Sequence, residues 1–468
     1  MNFAMRTVLL CGALSLMGCG TEQIPVPGTP LTQEELLDPI ACADCHPDQY
    51  REWKGSMHAY AAEDPVFRAM NARGQREADL GDFCISCHAP MAVRLGLTTD
   101  GLNMDEVPVK YHGVTCYFCH QAISVDGTHN APLTLAGDAT FRGSIADPVA
   151  NQAHGSMHGS LQDRDQLADS SALCGACHDI VTPAGVHLER TYLEWRGSLY
   201  SREDDVQKLS CGDCHMAGVN RLAAQNAPGV KLRRSKMHTF QGVDVALTEW
   251  PERDTQRALV QDFLEDTILP DLCVYPSAES TTVFATLENI AAGHSFPSGA
   301  SQDRRAWLEV RAFSKGNEVF TSGIVADDQA LADALVGDSS IWWFGETICD
   351  ADCNEVHMFW EAAPATNPDA PECAKCISRA LIAPIVASPL DPGFVDPHQF
   401  REYSVPQAEI DRVEMVFRVR PMRLDVLDEL VAGGDLDAAV RDAMPTFTLE
   451  STRLVWTPDL GTPCVQAN

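Results

Sequence analysis

The stretch HGVTCYFCH, His112 to His120, decides how this chain is read. At its centre stands Cys116-Tyr-Phe-Cys119-His120, a Cys-x-x-Cys pair with a histidine directly behind it. The same spacing recurs at Cys42-Ala-Asp-Cys45-His46, Cys84-Ile-Ser-Cys87-His88, Cys174-Gly-Ala-Cys177-His178 and Cys211-Gly-Asp-Cys214-His215. Cys-x-x-Cys-His is the attachment signal of c-type haem. Two thiols reach the two vinyl groups of one porphyrin, and the next residue turns its imidazole onto the iron. Zinc pairs and disulfides also use Cys-x-x-Cys, but neither demands a histidine after every pair. Five covalently attached haem c groups are therefore expected, with His46, His88, His120, His178 and His215 as proximal ligands.

Five haems in so short a run leave too little chain to bury each macrocycle in a private core. The porphyrins must form part of the core and pack against one another, with short helices and loops between the attachment sites. Bis-histidine irons also need distal ligands, and the chain has 15 histidines to draw on. Candidates are His58 in Trp-Lys-Gly-Ser-Met-His, His158 in His154-Gly-Ser-Met-His158, and His238 in Ser-Lys-Met-His. His154 competes with His158. His112 is tethered close to Cys116, and His294 sits in AGHSFPSG, a Gly/Pro-bounded loop after the strand-like run Thr281 to Ile290. His129, His187, His357 and His398 have no comparable setting and read as ordinary surface or core residues.

One phrase occurs twice. YREWKGSMHAY, Tyr50 to Tyr60, is matched by YLEWRGSLYSR, Tyr192 to Arg202. The tyrosine, the Glu-Trp, the basic residue and the Gly-Ser recur in register, but Tyr200 stands where the first copy has His58. Three readings of Tyr200 are open: packing beside a porphyrin and bonding its propionate, ligating iron as a phenolate, or marking one haem left open. Trp53 and Trp195 read as hydrophobic contacts to haem edges.

The chain of 468 residues carries a net charge of -32. A surface so acidic repels nucleic acid and favours basic partners. The N-terminus, MNFAMRTVLLCGALSLMGCG, has a positive Arg6 and an apolar run, Thr7 to Gly18, too short to span a bilayer. Leu16-Met17-Gly18-Cys19 resembles the lipobox of bacterial lipoproteins. That implies a signal peptide over 1–18, a lipidated Cys19 and a tether to residue 38. An ordinary secretory signal is the alternative. Both place the protein outside the cytoplasm, in the periplasm or cell envelope. The lipid would hold it to the outer membrane.

From about Leu272 the attachment motif disappears and β-rich runs take over: TTVFATLENI, AWLEVRAF, EVFTSGIV, VHMFWEAA, RVEMVFRVRP and STRLVWT. Turn residues separate them, which reads as an antiparallel sandwich. LDVLDELVAGG and LDAAVRDAM read as short helices. Six cysteines remain here. Cys349, Cys353, Cys373 and Cys376 allow a zinc site, but outside the cytoplasm disulfides are expected. Cys273 with Cys464 would join the two ends of this part, and the other four would form two bridges. The expected fold class is α+β and multidomain: a mostly helical, loop-rich pentahaem domain over 39–271, then an antiparallel β-sandwich domain over 272–468.

The arrangement resembles the multihaem c-type cytochromes that include the tetrahaem cytochrome c-554 of ammonia oxidisers and hydroxylamine oxidoreductase. The five motifs carry the resemblance, with the Trp-x-x-Ser-x-His phrase at His58, HGVTCYFCH, LCGACHDI, CGDCHMA, HTFQG at His238 and AGHSFPSG. It covers about Asp38 to Gly299. It implies stacked haem pairs, mostly bis-histidine iron, and electron transfer to and from other redox proteins. Some members act on nitrogen or sulfur compounds at one haem that lacks a strong sixth ligand. The expected function is an electron carrier in a respiratory or extracellular route. The alternatives are such an oxidoreductase, or a binding module in which the β-rich part recognises a partner.

Overall fold

The computed structural model describes residues 29–377, 380–387 and 398–467. The signal peptide and Cys19 lie outside them. Among the described residues no helix is long and apolar enough to cross a membrane.

The motif-bearing half is built from short helices that the motifs themselves start or stop. The helix Pro47–Lys54 follows His46 directly, with proline at its first position, where the missing N–H costs nothing. The helices Cys116–Gln121 and Cys211–His215 begin on the first cysteine of their motifs. The second has a capping box, in which the Ser210 and Asp213 side chains satisfy each other's backbone N–H groups. Longer than these, Pro65–Ala78 starts from an Asp64 side-chain cap. Strand pairs also occur here, which the helix-and-loop expectation did not include. Ala122–Val125 pairs with Leu133–Leu135, Thr140–Gly143 with Gly155–His158, and Gly218–Leu222 with Leu232–Lys236. Two lie in the long gap between the third and fourth motifs and one follows the fifth, where the backbone has no helix to satisfy its polar groups.

The described residues of the rest of the chain form two larger antiparallel sheets and a short pair, Ile348–Cys349 with Glu355–Val356. One orders Gln399–Val405, Thr281–Asn289, Ile268–Pro276 and Cys464–Gln466. The other orders Asn317–Ser322, Arg305–Ser314, Arg412–Arg420 and Phe447–Trp456, with Trp342–Phe344 also paired to Arg305–Ser314. Burial alternates residue by residue along Thr281–Asn289, as a strand with one face on a core requires. Leu272, Val274, Val283 and Leu287 of the first sheet share one apolar cluster with Leu308, Val310, Met415 and Phe417 of the second. The strand Ile268–Pro276 straddles the boundary expected at 272.

Three disulfides close this part: Cys273–Cys464, Cys349–Cys376 and Cys353–Cys373. VHMFWEAA, expected as a strand, pairs only at its first residue, Val356. The two nearby bridges tie the segment into turns. Met358 and Trp360 instead pack into a cluster with Val66 of Pro65–Ala78 and with the helix Leu424–Ala432. That cluster joins the two halves of the molecule.

Candidate haem-binding cavity

A cavity of about 1280 Å³ runs through the motif-bearing half. All ten motif cysteines and all five motif histidines line it. None of these cysteines is in a disulfide. Thiols of different motifs meet across it: Cys42 with Cys116, Cys87 with Cys177, and Cys174 with Cys211. The attachment points thus fall into two groups, the first with the third and the second with the fourth and fifth, along one cavity.

Four motif histidines face a second histidine ring. The centroids are 6.4 Å apart for His46 and His154, 6.3 Å for His58 and His178, 6.4 Å for His120 and His238, and 6.3 Å for His215 and His294. A metal–imidazole bond is about 2 Å, so two rings that share one metal have centroids roughly 6 Å apart. All eight rings line the cavity. His129 and His187 also lie 6.4 Å apart, but neither lines the cavity.

The second ring nitrogens support the same reading. Nδ1 of His46, His88, His120 and His215 meets the backbone carbonyls of Ala223, Ala61, Arg142 and Gln241 at 2.5–2.9 Å. On the facing rings, His154, His238 and His294 do likewise with Gly155, Lys236 and Ser295. An Nδ1–H donated to a carbonyl fixes the tautomer and leaves the Nε2 lone pair for a metal. Burial lowers the His58 and His238 imidazoles to about 3 and His215 to about 4, so all are neutral at physiological pH. These residues fit haem c. When bound, haem supplies a one-electron redox centre, and the chain supplies its thiols, its axial imidazoles and a dry surround.

His88 differs. Against it, at 3.9 Å and nearly parallel, lies the ring of Phe67. Among the described residues, no histidine stands opposite it. His112, the remaining candidate ligand from the sequence, is not in the cavity lining. Its Nδ1 meets Glu63 Oε1 at 2.5 Å and its Nε2 meets the Val107 carbonyl at 2.9 Å, so neither nitrogen is left for iron. Of the two competitors in HGSMH, the cavity takes His154. His158 turns its Nε2 to the Asp163 carboxylate at 2.9 Å and stays outside.

Tyr200 faces no motif histidine. Its hydroxyl donates to the Ile290 carbonyl at 2.5 Å, and its ring lies beside Gly293, next to His294. Trp53 and Trp195 line the cavity as expected, and each also donates its indole N–H, to the Val114 and Leu209 carbonyls. Phe67 escaped the sequence reading because nothing in its neighbourhood distinguishes it from a core phenylalanine. The same holds for the carbonyls that receive Nδ1, which any residue supplies.

These features are those of a multihaem c-type cytochrome. Residues 41–121, which hold the first three attachment motifs, match the family model described as cytochrome c554 and c-prime. The fold as a whole is similar to the crystal structure of a penta-heme cytochrome c552 from Thermochromatium tepidum. The TM-score is 0.56 and the identity 20%, over 91% of this chain and 97% of that one. No match was found among curated proteins.

Proposed function

We propose that the protein is an exported pentahaem electron carrier. Four haems are held between histidine pairs, and the one at Cys84, Cys87 and His88 has no histidine opposite. The observation that carries this reading is the set of four ring pairs at 6.3–6.4 Å along one cavity. On this reading, which the ring pairs support, His154 serves the first motif, His238 the third, His58 the fourth and His294 the fifth. Thiol contacts bring the first motif to the third, and the second to the fourth and the fourth to the fifth, and the single cavity that all five motifs line supports electron passage between the two groups. The pentahaem unit covers about 39–271, and the β-rich part, read as a sandwich, caps it through His294. A donor and an acceptor outside the chain complete the route, in the periplasm or envelope, with Cys19 as lipid anchor.

Substitution tests the assignment. His58→Ala, His154→Ala, His238→Ala and His294→Ala should each turn one low-spin haem high-spin, a different one each time. A folded variant of any of the four with an unchanged spectrum removes that histidine from the ligand set. Cys19→Ser should release the protein from membranes. Persistent membrane association would count against the anchor.

Among the described residues no histidine faces His88 as one faces each of the other four, which favours a second reading, an oxidoreductase for a small nitrogen or sulfur compound at that haem. It requires that cyanide, nitrite or hydroxylamine shift the spectrum of this haem alone. A protein inert to all three is a carrier only.

A further inference from the structure

The repeated phrase keeps its glutamate while it changes His58 for Tyr200, and the two glutamates do the same thing. Glu52 Oε2 accepts the backbone N–H of His238 at 2.8 Å. Glu194 Oε2 accepts the N–H of Ser295, the residue after His294, at 3.2 Å. His238 faces the histidine of the third motif, the one at Cys116. His294 faces that of the fifth, at Cys211.

Those are also the motifs that the two tryptophans hold. The Trp53 indole donates to Val114, two residues before Cys116, at 2.8 Å. The Trp195 indole donates to Leu209, two residues before Cys211, at 2.9 Å. The match extends along the backbone. Val114 N–H bonds the His58 carbonyl at 2.8 Å, and Leu209 N–H bonds the Tyr200 carbonyl at 3.0 Å. Ser56 and Ser198 each turn a hydroxyl to the carbonyl of their own tryptophan at 2.7 Å. Both tryptophans and Glu52 are buried.

We propose that Tyr-x-Glu-Trp-x-Gly-Ser is a clamp used twice. Its tryptophan holds the strand of chain leading into an attachment motif, and its glutamate holds the loop that carries the distal histidine of the same haem. Glu52 is then a positioning residue for His238, and Glu194 for His294. Neither touches the iron. The residue at the end of the phrase is free to differ because it enters the clamp only through its backbone carbonyl. In the second copy Tyr200 adds a bond to Ile290, on the loop that leads to His294. A carboxylate accepting a backbone N–H makes a charge-assisted bond, stronger than a neutral one, and the buried Arg221–Glu52 pair fixes the first carboxylate in place.

The proposal rests on His238 and His294 being distal ligands, so the test begins there. In the full-length, haem-loaded protein, His238→Ala and His294→Ala mark two haems by their change to high spin. Glu194→Met removes the acceptor, and Glu194→Gln keeps an uncharged one. The clamp predicts that Glu194→Met moves the g-values and midpoint potential of the haem marked by His294→Ala, with partial loss of its low-spin signal. Glu194→Gln should restore the spin state and leave a smaller shift in that haem alone. Glu52→Gln should act in the same way on the haem marked by His238→Ala, and it keeps a partner for Arg221 if the Met variant does not fold. Unmarked haems under the alanine substitutions would refute the ligand assignment. Marked haems with wild-type potentials in the glutamate variants, or shifts in other haems, would refute the clamp.

Discussion

A histidine can ligate iron only with the nitrogen that its protein partners leave free. His46, His88, His120 and His215 give Nδ1 to backbone carbonyls, which no side-chain substitution removes. His112 has neither nitrogen left, since Glu63 and Val107 take both. His112→Asn should therefore leave every haem spectrum unchanged. It should lower stability by about 1–3 kcal/mol, because the buried bond to Glu63 is lost. Thermal unfolding followed by the haem bands would measure this. A new high-spin signal would instead show His112 on an iron. Burial raises Glu189 to about 7 and Asp64 to about 6, with desolvation the main cause in both. The folded pKa of each exceeds the ordinary carboxylate value, so the folded state holds the proton more tightly. Stability should be full below about pH 4.5 for this term and fall as pH rises through 7. The melting temperature should drop between pH 5 and pH 8, roughly, and Glu189→Gln should flatten the upper part of that drop. A wild-type profile flat across this range would argue against a buried Glu189.

Loops and short helices carry most of these ligands, and small residues let them close. Gly113 has φ +70°, and a Cβ there would run into the carbonyl of His58. Gly113→Ala should push His58 out of place and convert the same haem to high spin as His58→Ala does. If both variants fold and affect different haems, His58 does not depend on this contact. The Cys273–Cys464 bridge spans 191 residues and ties the ends of the β-rich part. Its removal by Cys273→Ala with Cys464→Ala should cost about 2–5 kcal/mol and leave four haems untouched. On the proposed assignment, His294 is the one ligand drawn from that part. Much of this was legible in the chain itself. The alternation of Thr281 to Ile290 led to the strand Thr281–Asn289, and the five motifs with the phrases at His58, His238 and His294 led to residues that line one cavity. The choice between His154 and His158 was not legible, because Asp163 takes one ring and the cavity takes the other only once the chain has folded. VHMFWEAA has the residues of a strand, yet disulfides on either side and the helix Leu424–Ala432 hold it in turns.

At the scale of the molecule, a net charge of -32 should govern encounters. Oxidation of the reduced protein by a cationic reagent should slow steeply as ionic strength rises, and oxidation by an anionic one should speed up. Equal salt dependence for both would mean that the haem edges lie in locally neutral surface. On the proposed function the molecule is a wire built from repeated parts, with four irons closed by histidine and one, at His88, without a histidine opposite. Low-temperature EPR of the oxidised protein, with iron counted per chain, tests that claim most directly. The account predicts five irons, low-spin signals from four and a high-spin signal from one. Five low-spin haems, or high-spin iron at more than one site, would contradict it.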